Sequence, residues 1–85
     1  MGLPTNCDED KIAEVAIGLM YLTLHGDHNA VRAWKSMDWD VLDLLHHKGW
    51  IVDPKSKSKS VVVTEEGEVR ARLMFEKHFH SHREI

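Results

Sequence analysis

Lys55, Lys57 and Lys59 alternate with Ser56, Ser58 and Ser60. In an extended chain this alternation places three ammonium groups on one side and three hydroxyls on the other. Three lysines can neutralise ~3 phosphates, which on duplex DNA gives a salt slope of about −2.7. The same run also suits a solubilising hairpin tip that protects a sheet edge. The three lysines are the candidate binding residues, for phosphate or for an acidic partner.

The other chemistry-bearing types are weaker. Seven histidines are many for 85 residues. His78 and His82 fall one helical turn apart, and His80 with His25 or His28 could join them around zinc or nickel. No cysteine pair accompanies them, so no metal site is assigned and no cofactor is expected. His46 and His47 read more simply as solvent-facing residues near a helix C-terminus, where partial positive charge is favourable. Cys7 would act as a nucleophile only with a base held beside it, and no local signature supplies one. A glycine-rich phosphate loop is missing too, and the acids of the first and third helices read as solvated faces. The chain is not expected to be an enzyme.

The elements that must position the lysines are centred on residues 38–67. Asp38 caps a helix whose apolar positions Val41, Leu42 and Leu45 follow helical spacing. Gly49 ends it, with Lys48 set against the helix dipole. Trp50–Asp53 reads as a strand closed by Pro54. A six-residue loop, Pro54 to Lys59, leads to a β-branched strand over Ser60–Thr64. The two strands are expected to form an antiparallel hairpin with Ile51, Val61 and Val63 facing the helices. Thr64 then caps a last helix from Glu65 to Phe79, with Val69, Leu73, Phe75 and Phe79 buried. Gly67 weakens the ordinary capping box there.

Upstream, Asp8, Glu9 and Asp10 place acids where a helix start favours them. The first helix is expected from about Glu9 to Leu24, stopping near Gly26. Its apolar residues fill two stripes, Ile12, Val15, Ala16, Leu19 and Leu22 or Thr23 on one, and Ala13, Ile17, Met20, Tyr21 and Leu24 on the other. A surface helix of a small monomer needs only one such stripe. Either the second, third and fourth helices together wrap the first, or its second face packs on another subunit. On the latter reading Met20, Tyr21 and Leu24 are the candidate self-interface, and a homodimer is expected. A short helix, Ala30 to Lys35, follows a turn and is capped by Asp27 or Asn29, with Trp34 anchoring it in the core.

At 85 residues there is room for one domain, here 8–80, flanked by flexible ends at 1–7 and 81–85. The apolar fraction of 42% and charged fraction of 29% are ordinary for a globular protein. A single cysteine and the lack of a signal peptide point to the cytoplasm. The longest apolar run is about half the ~20 residues that span a bilayer, so no membrane partner is expected. Net charge is −3, mildly unfavourable for nucleic-acid binding, yet residues 31–60 hold six bases against four acids.

The order helix, strand, basic loop, strand, helix is that of the second half of a winged helix, giving an α+β domain of about four helices and a two-stranded hairpin. Trp34-Lys35, Leu42, Leu45, Gly49, Ile51, Asp53-Pro54, Lys57, Lys59-Ser60-Val61 and Thr64-Glu65-Glu66-Gly67 together resemble a bacterial family of short proteins catalogued as a domain of unknown function. That resemblance implies bacterial origin and carries over no functional residue. More loosely, the run from Leu45 to Gly67 is similar to winged-helix regulators, a superfold that hosts both DNA binders and protein-interaction modules. In such a fold the helix before the hairpin enters the major groove. Here it offers Asp40, Asp43, Leu44 and His47 outward and has no Arg, Asn or Gln to read base edges. The expected function is a non-catalytic, self-associating interaction module with an unknown protein partner. The rival is a nucleic-acid-binding regulator that uses the basic wing.

Overall fold

The computed structural model describes residues 3–26 and 30–79. Its elements are α1 (Glu9–Met20), a 3-10 turn (Tyr21–Thr23), β1 (His25–Gly26), β2 (Val31–Trp34), α2 (Trp39–His47), β3 (Ser60–Val63) and α3 (Glu65–Phe79). The class is α+β, as expected. The counts differ: the described residues hold three α-helices and a three-stranded antiparallel sheet in the order β1-β2-β3. The proposed caps Asp27 and Asn29, and the tail from His80, lie outside the described residues.

Local chemistry sets α1. The Asp8 carboxylate accepts from Lys11 N at 3.0 Å, and Glu9 and Asp10 occupy the first turn. The helix stops short of the expected Leu24. Thr23 donates its hydroxyl to the Met20 carbonyl at 3.3 Å, the chain tightens into a 3-10 turn, and Leu24 is extended. A threonine bonding its own backbone competes in this way with helix continuation.

Residues expected to form a short second helix form β2 instead. Its partner is the valine-rich β3, in the register Val31↔Val63, Arg32↔Val62, Ala33↔Val61 and Trp34↔Ser60. Lys35 N extends the ladder to Lys59 O at 2.9 Å. A run as short as Val-Arg-Ala-Trp cannot be told from a helix turn by periodicity, and the unpaired edge of β3 decides the matter. Strand alternation then buries Ala33 and turns Trp34 outward, so Trp34 is not a core anchor.

The expected hairpin shrinks for a related reason. Trp50–Asp53 contributes a single bridge, Ile51 to Val63, with Val52 N donating to Val62 O and Thr64 N to Trp50 O. Beyond it Asp53 accepts from Lys55 N at 3.0 Å, a local turn, and Pro54 has no donor to extend the ladder. Ile51, Val61 and Val63 are buried nonetheless.

The core gathers Ala13, Ile17 and Met20 of α1, Leu42 and Leu45 of α2, and Ala71 and Met74 of α3 over the inner face of the sheet. Gly18 allows α1 to lie close to α3, since a Cβ there would sit 3.1 Å from the Met74 carbonyl carbon. Gly67 and Ala71, with Met74 beside them, form the buried face of α3. Val69, Leu73 and Phe79, expected inside, are 48%, 44% and 37% exposed, and Phe75 is half-buried. Among the described residues, no helix is long and apolar enough to cross a membrane.

Candidate functional site

The lysine run is not an extended strand. It bends through residues 56–59, and its serines are tied down. Arg32 Nε donates to Ser60 Oγ at 2.7 Å, while Arg32 Nη2 reaches Ser60 O at 3.2 Å and Ser58 Oγ at 3.4 Å. Just past the end of β2, Lys35 Nζ donates to Ser56 O at 2.9 Å and Ser56 Oγ at 3.1 Å. The loop is therefore pinned to the end of β2.

This pinning encloses an open cavity of about 510 Å³ between the loop, the end of β2 and the start of α2. Lys57 and Lys59 line it, and Lys55 does not. Ser56 and Ser58 line it as well, because the bends break the expected separation of lysines from serines. Three further side chains complete the basic and aromatic lining, namely Trp34, Lys35 and Trp39. Trp34 faces outward by strand alternation and stacks against His25, ring centroids 4.8 Å apart. Trp39 is the first residue of α2, and Lys35 Nζ lies 5.7 Å from its ring centroid, within cation–π range.

No carboxylate lines the cavity among the described residues. Two of the acids near it in sequence are engaged locally. Asp38 accepts from Asp40 N at 3.0 Å as the cap of α2, and Asp53 accepts from Lys55 N. The reading of the residues alone singled out Lys57 and Lys59, together with Lys55, which lies outside the cavity lining, and missed Lys35 and the two tryptophans. The signal was present as Trp34-Lys35 and Trp39 bracketing a short turn, a basic patch with interleaved aromatics.

The candidate self-interface falls differently from expectation. Met20 is 1% exposed and belongs to the core, because α3 covers the stripe that includes Ala13 and Ile17. Tyr21 stacks on Phe75 at 4.9 Å, and Leu24 is half-buried against the core. Both border a separate depression of about 270 Å³ with Val69 and Arg72. The other stripe of α1 is the one left open. Ile12, Val15 and Leu19 form with Met37 and Val41 a groove of about 390 Å³ whose walls are apolar, with Leu22, 66% exposed, one turn further on.

The titratable groups elsewhere are structural. Glu14 of α1 accepts from His78 Nε2 and Lys77 Nζ of α3, each at 3.1 Å. The His78 hydrogen bond, then that from Lys77, holds the Glu14 carboxyl below its ordinary value. His46 Nδ1 donates to Ile51 O at 3.1 Å, and His47 is exposed. Cys7 donates its thiol to Pro4 O at 3.0 Å. Among the described residues no group of three or more His, Cys, Asp and Glu is arranged to hold a metal. His28, His80 and His82 lie outside the described residues.

A family model described as a domain of unknown function, DUF6429, matches residues 8–81. The chain is 46% identical over 72 residues to a protein of Sinorhizobium fredii (strain NBRC 101917 / NGR234) named "Uncharacterized protein y4hR", covering 85% of this chain and 93% of that one. The relative is bacterial, in line with the origin implied by the sequence resemblance. No solved structure matches.

Proposed function

Since the chain belongs to the DUF6429 family, which brings no assigned activity with it, we propose on its own surface features that it is a non-catalytic interaction module that pairs with itself. The observation that carries this is the apolar groove between α1 and α2. Ile12, Val15, Ala16, Leu19, Met37 and Val41 offer an occupant apolar side chains, with Lys11 the one charged residue in the lining, so the groove suits an apolar ridge. The chain has such a ridge beside the groove. Leu19 and Leu22, 43% and 66% exposed, continue the line of α1. A two-fold rotation would lay this ridge in the partner's groove and the partner's ridge in this one, a self-complementary contact. Burial contributes ~25 cal/mol per Å² of apolar surface. A cytoplasmic location goes with this reading, given the single cysteine.

Sedimentation at micromolar concentration is the test. The wild type should run as a dimer, and Leu19→Glu, at a half-exposed position outside the core, should run as a folded monomer. A monomeric wild type sinks the proposal.

One observation favours a second reading, that of a winged-helix regulator on duplex DNA, namely the gathering of Lys35, Lys57 and Lys59. Against it, a single helix, α2, stands between β2 and the bridge at Ile51, where a helix-turn-helix needs two. α2 also exposes Asp43 and holds no Arg, Asn or Gln. Duplex binding tighter than about 10⁻⁶ M at physiological salt is not expected. In a mobility-shift titration, retention of one fragment at nanomolar protein, lost in Lys57→Glu, would favour the regulator.

A further inference from the structure

Trp34 and Trp39 are 47% and 55% exposed. Large aromatic side chains in water forgo the stabilisation that burial of their 150–250 Å² or so would give. Here both line one cavity together with Lys35, Lys57 and Lys59, and with no carboxylate among its walls. From this juxtaposition we infer that the cavity binds a nucleobase with its attached phosphate, as presented by single-stranded nucleic acid. The indole faces not taken by His25 or Lys35 stack on the bases, and the three ammonium groups take the phosphates between them. Stacking of this kind tolerates any base, because every base has a π-face.

The chemistry selects against a duplex. Bases inside a double helix offer a groove only their edges, and exposing a face costs unpairing and unstacking. The cavity, at about 510 Å³, lies within the ~300–1,000 Å³ range of ligand sites. Its basic wall is also partly pre-formed. Lys35 spends two of its three N–H donors on Ser56, which fixes the ammonium beside the Trp39 ring and leaves the third for an incoming anion. Arg32 holds Ser58 and Ser60, so the segment bearing Lys57 and Lys59 needs less ordering on binding. The site shares only Met37 with the groove between α1 and α2, and so works independently of self-association.

The test is fluorescence anisotropy of a labelled oligothymidylate of about 15 nucleotides, within the usual range of single-strand site sizes. The full chain is titrated at low salt and then at several higher salt concentrations. Three lysines predict a slope of log K against log salt of about −2.1 on a single strand. Trp39→Ala should weaken binding by about tenfold or more, and Trp34→Ala similarly. Lys57→Glu, on the exposed loop, should weaken it too and keeps the test open if a tryptophan variant fails to fold. A duplex of equal length should bind more weakly. Thymidine monophosphate is the second arm: saturation as tight as that of the oligomer supports the site but assigns it to a free nucleotide. The inference is overturned if neither probe binds at low salt. It is also overturned if the duplex binds more tightly, or if the folded Trp34→Ala/Trp39→Ala double variant binds as well as the wild type.

Discussion

A Cβ built on Gly67 would lie 1.9 Å from the carbonyl oxygen of Trp50. That oxygen is itself fixed, because it accepts from Thr64 N at 3.0 Å. Glycine at this place is a packing requirement, whereas the sequence alone presents it as a weak third position in a helix cap. The cap forms all the same: Thr64 Oγ1 accepts from Gly67 N at 3.0 Å and donates to Gly49 O at 2.7 Å. Two effects oppose each other in Gly67→Ala. Helix propensity favours alanine by ~1 kcal/mol, while forcing a methyl against fixed backbone costs ~1–3 kcal/mol and more where nothing can shift. The steric term wins, so the urea midpoint of Gly67→Ala should fall; an unchanged midpoint would mean that the Trp50 carbonyl moves freely. Glu14 supplies a pH prediction. Its folded-state pKa is depressed by His78 first and Lys77 second, so its contribution is fully present above the ordinary 4.5 and fades as pH falls through the lower folded value. Tm measured against pH should show the wild type losing its advantage over Glu14→Gln below that range. A gap between the two that persists or widens in acid would contradict the sign.

Among the elements, α2 is the one most legible in the sequence. Asp38 caps it, Gly49 ends it with φ 80°, and Leu42 and Leu45 are buried at 1% and 0% exposure. Each of these signals is local, and local signals survive into the fold. Leu45→Ala should cost ~2–5 kcal/mol in chemical denaturation, a large share of what so small a domain possesses. A melting curve unchanged by that substitution would show α2 to be rotated about its axis. β2 and α3 were harder to read because their states are set at a distance. Val31–Trp34 is a strand only because β3, almost thirty residues later, needs an edge partner. The buried face of α3 follows from close approach to Trp50 and to Gly18, which turns Gly67, Ala71 and the unbranched Met74 inward and leaves the branched Val69 and Leu73 outside. An apolar count along the helix favours the wrong stripe, because it gives no weight to Gly67 and Ala71, where the close approach needs small residues.

For the molecule as a whole, the candidate site was half legible. Lys57 and Lys59 announce themselves by composition, whereas Trp34 reads as a core anchor until strand alternation turns it outward, and Lys35 and Trp39 join the site only when the start of α2 is placed beside the loop. The same holds for self-association, where two apolar stripes on α1 were visible but only the fold decides which one α3 covers. If the remaining stripe pairs two copies, stability is linked to concentration. The Tm of the wild type should then rise with protein concentration while that of Leu19→Glu stays constant, as differential scanning calorimetry at several concentrations will show. The packing of α1 on α3 has a further consequence, for the order of events during synthesis. Chains are made N-terminus first at ~5–20 residues per second, and Ile17 and Met20 find their cover in Ala71 and Met74, more than fifty residues later. Until α3 has emerged, both stripes of α1 stand in water together. A nascent chain halted before Glu65 carries α1, α2 and the three strands but lacks the helix that covers Ile17 and Met20, and so exposes apolar surface that the finished fold buries.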